Sequence, residues 1–219
     1  MDSSLFTTPS LDHISLEDYS RVYEPDQDSF LFLDALEEEY SFLQTLHPSL
    51  LLEIGPGTGI ISSFLSRLLN KSNPVATIAI DINLDACVIT KQTYQQNSIP
   101  FTDVIRSNLL QCIGERLKNV VDIIVFNPPY VPTSSEETFL PSIESAYAGG
   151  VRGREVIDVL LPNVSSILSQ GGVFYLLLEQ VNNPEEVTSI LERTGLKGKL
   201  VLRKQCRGEE LMIMKYTKE

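Results

Sequence analysis

Apolar residues recur along the chain at two kinds of spacing, and these separate predicted helices from predicted strands. Between Asp26 and Leu46 the apolar positions lie three or four residues apart, which is the pattern of an amphipathic helix. Short continuous apolar runs, such as 50–54, are typical of strands that are buried on both faces. The pattern predicts helices at 26–46, 60–69, 84–97, 153–168 and 184–193. It predicts strands at 50–54, 75–80, 103–106, 120–126, 173–178, 199–205 and 211–216.

The order of these elements predicts the fold class. Strands mostly alternate with helices, which is typical of the doubly wound α/β class, in which helices cover both faces of a mostly parallel sheet. The last two strands are separated by Gly208 and predict an antiparallel hairpin. We therefore expect a Rossmann-like, seven-stranded sheet with a C-terminal hairpin. Residues 1–22 are polar and contain Pro9, so we expect a flexible N-terminal lead before a single domain at 23–219.

Composition restricts the classes of protein to which the chain can belong. Its 219 residues, 42% of them hydrophobic, suffice for one well-buried domain. The net charge of −12 disfavours tight non-specific binding to nucleic acids or anionic membranes and suits a basic protein partner. Three cysteines without a CxxC pair and two histidines offer no zinc-ligand spacing, so we expect no metal site. With no signal peptide and no apolar run of 18 residues, we expect a soluble cytoplasmic protein, with the nucleus as a second location.

A glycine-rich turn, Glu-Ile-Gly-Pro-Gly-Thr-Gly at 53–59, joins the first predicted strand to the following helix. In an open α/β sheet such a turn lies where ligands bind, and glycines let the backbone approach a ligand closely. Ile60 stands where a dinucleotide-binding motif requires glycine, and no lysine follows as in a phosphate-binding loop. Asp81, at the end of the next strand, is suited to accept both hydroxyls of a ribose. A turn without a ligand, with Asp81 as a helix cap, is the alternative.

The tetrapeptide Asn-Pro-Pro-Tyr at 127–130 follows the strand with the strongest apolar pattern. Its two prolines fix the backbone and remove two N–H groups, so the Asn127 side chain and nearby carbonyl oxygens are left as rigid acceptors for a planar NH₂ group. Tyr130 offers a flat face for packing against that group. This chemistry suits methyl transfer to an amide or exocyclic amine nitrogen, whose delocalised lone pair makes it a poor nucleophile. No general base is evident nearby, and an ordinary turn is the alternative.

Glu53, the three alternate glycines of the first turn and Asp81 together resemble the S-adenosylmethionine site of class I methyltransferases. The wider set of motifs resembles the HemK-type protein-glutamine N5-methyltransferases, and closely their short eukaryotic and archaeal branch. The resemblance extends over nearly the whole chain and is carried by Val22–Phe30, Glu53–Gly59, Asp81–Asn83, Val125–Val131, Ala148–Gly150, Gly153–Glu155 and Asn183–Glu186. It implies a class I methyltransferase fold and S-adenosyl-L-methionine as the cofactor.

The resemblance also implies a substrate and a partner. The substrate would be the class 1 translation release factor of eukaryotes, methylated on the side-chain nitrogen of the glutamine in its Gly-Gly-Gln loop. The chain would be the catalytic subunit of a heterodimer with a small zinc-binding activator protein. We expect this activator at the strand 103–106, because that strand would form an edge of the sheet that a partner strand can cover.

The site residues that the resemblance implies fall into two groups. The cofactor-binding group comprises Ser29, Glu53, Gly55, Gly57, Asp81, Asn108, Leu109 and Asn127. The catalytic group comprises Asn127, Pro128 and Tyr130. Within the first group, Ser29 would contact the methionine end of the cofactor, Asp81 the ribose and Leu109 the adenine. Asn108 departs from the aspartate that the family usually has there, but its amide oxygen can still accept a hydrogen bond.

Three other functions are weaker alternatives. An adenine-N6 DNA or RNA methyltransferase would share the Asn-Pro-Pro-Tyr turn, but the net charge of −12 and the lack of a basic patch disfavour it. A protein lysine methyltransferase side activity would gain little from an acceptor of NH₂ groups. A non-catalytic scaffold that binds the methyl donor is disfavoured by the intact Asn127 and Tyr130.

Two features that follow the second turn are less specific. The loop 133–150 has no clear periodicity, and loops of this length often serve as lids or binding loops, with a mobile surface loop as the alternative. Arg152 and Arg154 come directly after it. For both we favour solvated charges near the start of a helix over contacts with a substrate.

Overall fold

A computed structural model describes residues 6–70, 74–138, 143–206 and 208–219. Its α-helices are α1 (Gln27–Glu38), α2 (Tyr40–Leu46), α3 (Ile60–Leu69), α4 (Leu84–Gln96), α5 (Glu155–Ile167) and α6 (Pro184–Glu192). Its strands are β1 (Leu50–Ile54), β2 (Ala76–Asp81), β3 (Thr102–Arg106), β4 (Val121–Phe126), β5 (Leu168–Glu179), β6 (Leu196–Gln205) and β7 (Glu210–Lys218). Within the described ranges, no helix is long and apolar enough to cross a membrane.

The seven strands of the described residues form one sheet, in the order β3-β2-β1-β4-β5-β7-β6. Strands β1 to β5 pair in parallel, while β7 runs antiparallel to both β5 and β6. This arrangement confirms the predicted fold class, including the C-terminal antiparallel hairpin. Because β1 lies between β2 and β4, the order of the strands reverses there, and in open α/β sheets this is where ligands bind.

The central strands are apolar on both faces because helices cover both sides of the sheet. On one face, Leu51 and Ile123 belong to a core cluster with side chains of α1 and α3. On the other face, Leu52 and Ile124 belong to a second cluster with side chains of α5 and α6. Full burial of one such side chain stabilises the fold by about 1.5–3 kcal/mol. These two clusters therefore fix the carboxyl ends of β1 and β4, where the two predicted turns begin.

The helix predicted over 26–46 consists of two helices in the structure, so this prediction is corrected. The helices α1 and α2 meet at Glu39. The Glu39 carboxylate accepts hydrogen bonds from the Tyr175 hydroxyl at 2.9 Å and from the Lys215 ammonium, so residues of β5 and β7 fix the chain at the break. The apolar spacing continues through Glu39, which is why the sequence pattern does not predict the break.

Strand β5 begins at Leu168, five residues before the predicted start. Its pairing with β4 shifts register between Val121 and Ile123, so the segment 169–172 bulges from the ladder, and Gly171 there has a φ of +77°. This segment contains polar residues and glycines rather than an apolar run. The sequence pattern therefore places the start of the strand too late.

The described part of the N-terminal lead, residues 6–22, lies against α4 and the residue that follows it. The Asn97 side chain accepts a hydrogen bond from the Ser10 N–H and donates one to the Ser10 carbonyl, both at 2.8 Å. Ile14 packs with Val22, Ala86 and Ile89 in a small apolar cluster. Residues 1–5 of the predicted lead lie outside the described residues, and the flexibility of the lead stays a prediction.

Candidate active site

The two turns singled out by the sequence open into one cavity at the carboxyl edge of the sheet. Because β1 and β4 are adjacent parallel strands, the residues that follow Ile54 and Phe126 lie side by side. Within the described part of the chain, the cavity wall contains nine of the ten predicted site residues, namely Ser29, Gly55, Gly57, Asp81, Asn108, Leu109, Asn127, Pro128 and Tyr130. The tenth, Glu53, lies behind that wall.

The glycine turn depends on backbone conformations that favour glycine. Gly55, Gly57 and Gly59 have φ values of +63°, +56° and +76°. A Cβ atom on Gly59 would lie 2.8 Å from the Cγ2 atom of Thr90, so a larger residue would force α3 away from α4. A Cβ atom on Gly57 would instead meet no atom within 4 Å. The turn is therefore tightly packed on its α4 side and open on the side that faces the cavity.

Asp81 ends β2 and lines the same cavity. Its carboxylate accepts the Asn83 N–H at 2.8 Å and the Gly57 N–H at 3.4 Å. Burial raises the Asp81 pKa to about 6, against the lowering effect of these hydrogen bonds, so the carboxylate is mostly ionised at neutral pH. It retains lone pairs for the hydroxyls of a ribose. The helix-cap alternative for Asp81 is wrong, because Asn83 caps α4 by accepting the Asp85 N–H at 2.9 Å.

Glu53 lies under the glycine turn instead of on the cavity wall. It is 2% exposed, and its carboxyl accepts the Ser62 N–H in the first turn of α3 at 3.1 Å. Burial raises the Glu53 pKa to about 8, so the neutral carboxyl is favoured at neutral pH. The Ser62 hydroxyl in turn forms a 2.7 Å hydrogen bond with the Tyr94 hydroxyl. The structure thus gives Glu53 a contact with the start of α3, where the sequence predicted a contact with the cofactor.

Asn127 carries an acceptor that lacks a donor. Its Nδ2 atom donates to the Asp28 Oδ2 atom at 2.9 Å. Because a carboxylate can only accept hydrogen bonds, this contact turns the NH₂ group of Asn127 toward Asp28 and the Oδ1 atom away from it. Among the described residues, no donor lies within hydrogen-bond distance of that buried Oδ1 atom. An unsatisfied buried acceptor costs about 1–3 kcal/mol, so the site favours a ligand that brings an N–H group.

Sequence reasoning missed the role of Asp28. The side chain is buried in the first turn of α1 and accepts the Ser29 N–H at 2.7 Å in addition to the Asn127 amide. The Tyr23 hydroxyl lies 3.5 Å from the same Asp28 Oδ1 atom. Asp28 and Tyr23 stand in the segment 22–30, whose resemblance to the family was the available signal. No local pattern pairs Asp28 with a residue 99 positions later.

Tyr130 is fixed at both ends. Its hydroxyl donates to the Glu209 carboxylate at 3.5 Å, and its carbonyl accepts the Asn182 Nδ2–H at 2.9 Å. Burial and the nearby carboxylates of Asp28 and Glu209 raise the Tyr130 pKa, so the phenol remains protonated and acts as a hydrogen-bond donor. The ring lines the cavity next to Asn127, where it can pack against a planar group.

Comparison with known proteins gives the family. A family model described as "Methyltransferase small domain" matches residues 19–143. The chain belongs to this methyltransferase family. A human relative named methyltransferase HEMK2 is 39% identical over 213 residues, which cover 97% of each chain. A Schizosaccharomyces pombe relative, named eRF1 methyltransferase catalytic subunit mtq2, is 36% identical over 224 residues, covering 96% of this chain and 95% of the relative.

A solved structure of a related protein is similar to this methyltransferase in both fold and sequence. It is the E. cuniculi Mtq2–Trm112 complex, described as responsible for the methylation of the eRF1 translation termination factor. One of its chains matches with a TM-score of 0.65 and 29% identity, covering 90% of this chain and 99% of that one. The resemblance to HemK-type enzymes and the class I methyltransferase fold are thereby confirmed.

As a member of this family, the methyltransferase uses S-adenosylmethionine, and the cavity suits that cofactor. The open space beside Gly57 leaves room for a ligand against the turn, and the ionised Asp81 provides acceptors for ribose hydroxyls. Ser29 lines the cavity next to Asp28, and Asn108 and Leu109 line it beyond β3. Apart from Glu53, the residues that the sequence assigned to the cofactor therefore all face one space.

Leu109 has a backbone conformation that is rare for its residue type. Its φ is +47°, in the left-handed region that a Cβ atom disfavours by about 1–2 kcal/mol. Strained residues of this kind persist where the surrounding structure fixes them, and they concentrate at ligand sites. In the methyltransferase, this strained residue, Leu109, directly follows Asn108 and is the one to which the sequence analysis assigned the contact with adenine.

The loop of the methyltransferase after Asn-Pro-Pro-Tyr is attached to the reactive turn. Val131 and Ala148 form a parallel bridge, with a hydrogen bond of 3.1 Å from the Val131 N–H to the Tyr147 carbonyl and one of 2.9 Å from the Gly149 N–H to the Val131 carbonyl. Tyr147 also lines the cavity. Within this predicted lid, residues 139–142 lie outside the described residues, and the lid function stays a prediction.

Arg154 of the methyltransferase is buried and paired, in contrast to what we expected from the sequence. We favoured a solvated charge, but its side chain is 6% exposed and forms ion pairs with Asp158 at 2.8 Å and Glu186 at 2.7 Å. These contacts join α5 to α6, so Arg154 has a structural role. Arg152 is largely exposed, as expected, and lies 3.9 Å from Glu186.

Proposed function

We propose that the chain transfers a methyl group from S-adenosylmethionine to the side-chain N5 nitrogen of the glutamine in the Gly-Gly-Gln loop of the class 1 release factor eRF1. The observation that carries this proposal is the buried Asn127 Oδ1 atom, for which no described residue supplies a donor. A primary amide brings the N–H group that this acceptor lacks. The description of the Schizosaccharomyces pombe relative as an eRF1 methyltransferase supports the same substrate.

The residues around the second turn prepare the amide for transfer. When bound, the cofactor supplies a methyl group on a sulfonium, which is electrophilic. Asn127 Oδ1 accepts one N–H of the glutamine amide, and we assign the second N–H to the Pro128 carbonyl. Two accepted hydrogen bonds draw the nitrogen lone pair out of conjugation and fix its direction. Tyr130 packs against the amide plane, and the nitrogen releases its extra proton to water after transfer.

The site chemistry favours the protein amide over the alternative substrates. Among the described residues, the titratable side chains on the cavity wall are two carboxylates, Asp28 and Asp81, and three phenols, Tyr23, Tyr130 and Tyr147. The two carboxylates, together with the net charge of −12, repel the phosphates of DNA or RNA. A protein segment that carries no phosphates experiences no such repulsion. Because release factors act in translation, we propose the cytoplasm as the location of the chain, with the nucleus as a second one.

We further propose that the chain acts as the catalytic subunit of a heterodimer with a small zinc-binding activator, as the E. cuniculi Mtq2–Trm112 complex suggests. The strand β3 is an edge of the sheet and pairs only with β2 in the part of the chain that the structure describes. Phe101, just before β3, is 66% exposed. An unpaired strand edge next to an exposed aromatic ring suits a partner that adds a strand. If the purified chain alone were fully soluble, stable and active, that result would contradict the proposal that it needs this partner.

The experiment uses labelled S-adenosylmethionine and the chain, with and without the activator. The acceptors are eRF1 with the natural Gly-Gly-Gln loop, eRF1 with alanine in place of that glutamine, and an adenine-containing DNA and RNA oligonucleotide. We expect label only on the natural eRF1, with mass spectrometry placing one methyl group on the glutamine side chain. Equal label on the alanine version, or label on the oligonucleotides alone, would overturn the proposed substrate.

A further inference from the structure

Asn182 lies outside the cavity, yet it contacts the reactive turn from behind. It follows β5, and its side chain is fully buried. Its Nδ2 atom donates to the carbonyl oxygens of Tyr130 and Arg152, both at 2.9 Å, and lies 3.3 Å from that of Gly153. Its Oδ1 atom accepts the Glu179 N–H at 2.8 Å, which fixes the direction of the amide. One side chain therefore connects the reactive turn, the end of the long loop and the end of β5.

The turn needs such a donor because it has few of its own. Pro128 and Pro129 carry no N–H groups, so the turn presents more carbonyl acceptors than backbone donors. A buried carbonyl without a donor is unfavourable, and an amide NH₂ group from another segment satisfies the Tyr130 carbonyl. The same NH₂ group satisfies the Arg152 carbonyl.

Two glycines allow the close approach of these segments. A Cβ atom on Gly153 would lie 1.8 Å from the Tyr130 carbonyl oxygen, and one on Gly149 would lie 2.6 Å from the Pro129 carbonyl oxygen. The backbone of 149–153 is therefore in direct contact with the back of the turn. Asn182 ties both segments together at this contact.

We infer that Asn182 is a positioning residue for methyl transfer, an inference that rests on the proposed function. By fixing the Tyr130 carbonyl, it fixes the direction in which Asn127 and Pro128 present their acceptors. By fixing the Arg152 carbonyl, it also sets where the loop 133–150 returns to the turn. Displacement of a reacting group by about 1 Å reduces turnover by about 100-fold, so a small shift of the turn has a large effect.

The test replaces Asn182 by aspartate in the complex of the full chain with its activator. Asn182→Asp keeps the size of the side chain and the acceptor for the Glu179 N–H, but it replaces the N–H donors by an oxygen that repels the carbonyls. The matched control is Asn163→Asp, the same chemical change at an exposed asparagine on α5.

Three quantities separate positioning from general destabilisation: kcat with eRF1, the Kd for S-adenosylmethionine, and the hydrogen exchange rate of the Val131 amide. We expect Asn182→Asp to lower kcat by about 10–100-fold and to accelerate exchange at Val131, while the Kd changes by less than about threefold. Asn163→Asp should change each quantity by less than about twofold. The inference would be overturned if Asn182→Asp had the same kcat and the same Val131 exchange rate as the wild type. It would also be overturned if kcat and cofactor affinity fell in parallel.

A second variant covers the case in which Asn182→Asp does not fold. Asn182→Ser is smaller and uncharged, and it removes the amide NH₂ group that bonds the Tyr130 and Arg152 carbonyls, so we expect lower kcat with nearly unchanged cofactor affinity. A folded Asn182→Ser protein with normal kcat would contradict the inference. Failure of the proposed function looks different, because the wild-type complex itself would then transfer no methyl group to eRF1. Exchange at Val131 needs no substrate and would still distinguish Asn182→Asp from the wild type.

Discussion

The glycine turn after β1 and the Asn-Pro-Pro-Tyr turn after β4 lie on neighbouring strands, yet they are stabilised in different ways. The glycine turn is fixed by backbone hydrogen bonds, such as that of 2.8 Å from the Gly55 N–H to the Ile80 carbonyl, and by two side chains that bind the Gly57 backbone: the Asp81 carboxylate accepts its N–H and the Thr90 hydroxyl donates to its carbonyl. The second turn contains two prolines and is fixed by side chains of distant segments, namely Asp28, Asn182 and Glu209.

This difference follows from what each turn offers its ligand. The glycine turn offers open space and backbone N–H groups, which the local sequence supplies in full. The second turn offers acceptors that must point in one direction, and residues behind the site must hold them in that direction. Changes at the second turn should therefore reduce turnover, whereas changes at the first should reduce cofactor affinity.

The strongest test of this separation is Asn127→Ala. It removes the acceptor for the substrate amide, so we expect kcat to fall by on the order of 1000-fold, with the Kd for S-adenosylmethionine nearly unchanged. Steady-state kinetics and calorimetry measure the two quantities. The control is Asn163→Ala, which truncates an exposed asparagine on α5. A loss of cofactor binding in Asn127→Ala would show that this asparagine serves mainly the cofactor, and the separation would fail.

Asp28→Asn should have the next largest effect. An asparagine at this position can donate as well as accept, so it no longer forces the NH₂ group of Asn127 toward it. Since a hydrogen bond to a charged group is worth about 1.5–3 kcal/mol, we expect kcat to fall about 10–100-fold. The control is Asp26→Asn, an exposed carboxylate two residues earlier that makes no side-chain cap to α1. Equal kcat in Asp28→Asn and the wild type would mean that another contact orients Asn127.

Asp81 provides a test at the first turn through pH. Its raised pKa of about 6 means that the carboxylate accepts a proton as the pH falls below that value, and a protonated carboxyl is a poorer acceptor for ribose hydroxyls. We expect the Kd for S-adenosylhomocysteine to be about tenfold higher at about pH 5 than at about pH 7.5. Calorimetry across this range measures it, and Asp81→Asn should give weaker binding without the pH step. A pH step that persists in Asp81→Asn would assign the titration to another group.

Asn108→Asp should have the smallest effect. It restores the aspartate that the family usually has, and both side chains provide an oxygen acceptor on the cavity wall. We expect the Kd for S-adenosylmethionine to be equal or up to about threefold lower, with kcat unchanged. Equilibrium binding measures this change. A large loss of affinity would place the adenine contact at a different residue.

The parts of the molecule that the sequence predicted are those determined by neighbouring residues. The apolar runs at 50–54 and 120–126 predicted β1 and β4 to within one residue, and the glycines of 55–59 predicted the turn between β1 and α3. Because parallel strands place their carboxyl ends at one edge, these local features were enough to predict one site that contains both Asp81 and Asn127.

The parts that the sequence did not predict depend on contacts between distant residues. Asn182 lies 52 positions from Tyr130, and Arg154 lies 32 positions from Glu186. No spacing rule pairs such residues, so Asn182 received no role. Arg154 and Asp158 do have the i, i+4 spacing of a helix pair, but such a pair is commonly exposed, and the burial of Arg154 depends on the distant Glu186. The break at Glu39 is of the same kind, since its partners are on β5 and β7.

Strand β7 has a consequence for synthesis of the protein. It is translated after the other six strands, yet it lies inside the sheet between β5 and β6. Until it leaves the ribosome, the nascent chain exposes an apolar, unpaired edge of β5, and Glu209 is not yet available to Tyr130. Unpaired strand edges of this kind promote aggregation. The nine residues of β7 therefore complete the sheet only after the other six strands have been made, and until then the exposed edge of β5 is open to chaperones and proteases.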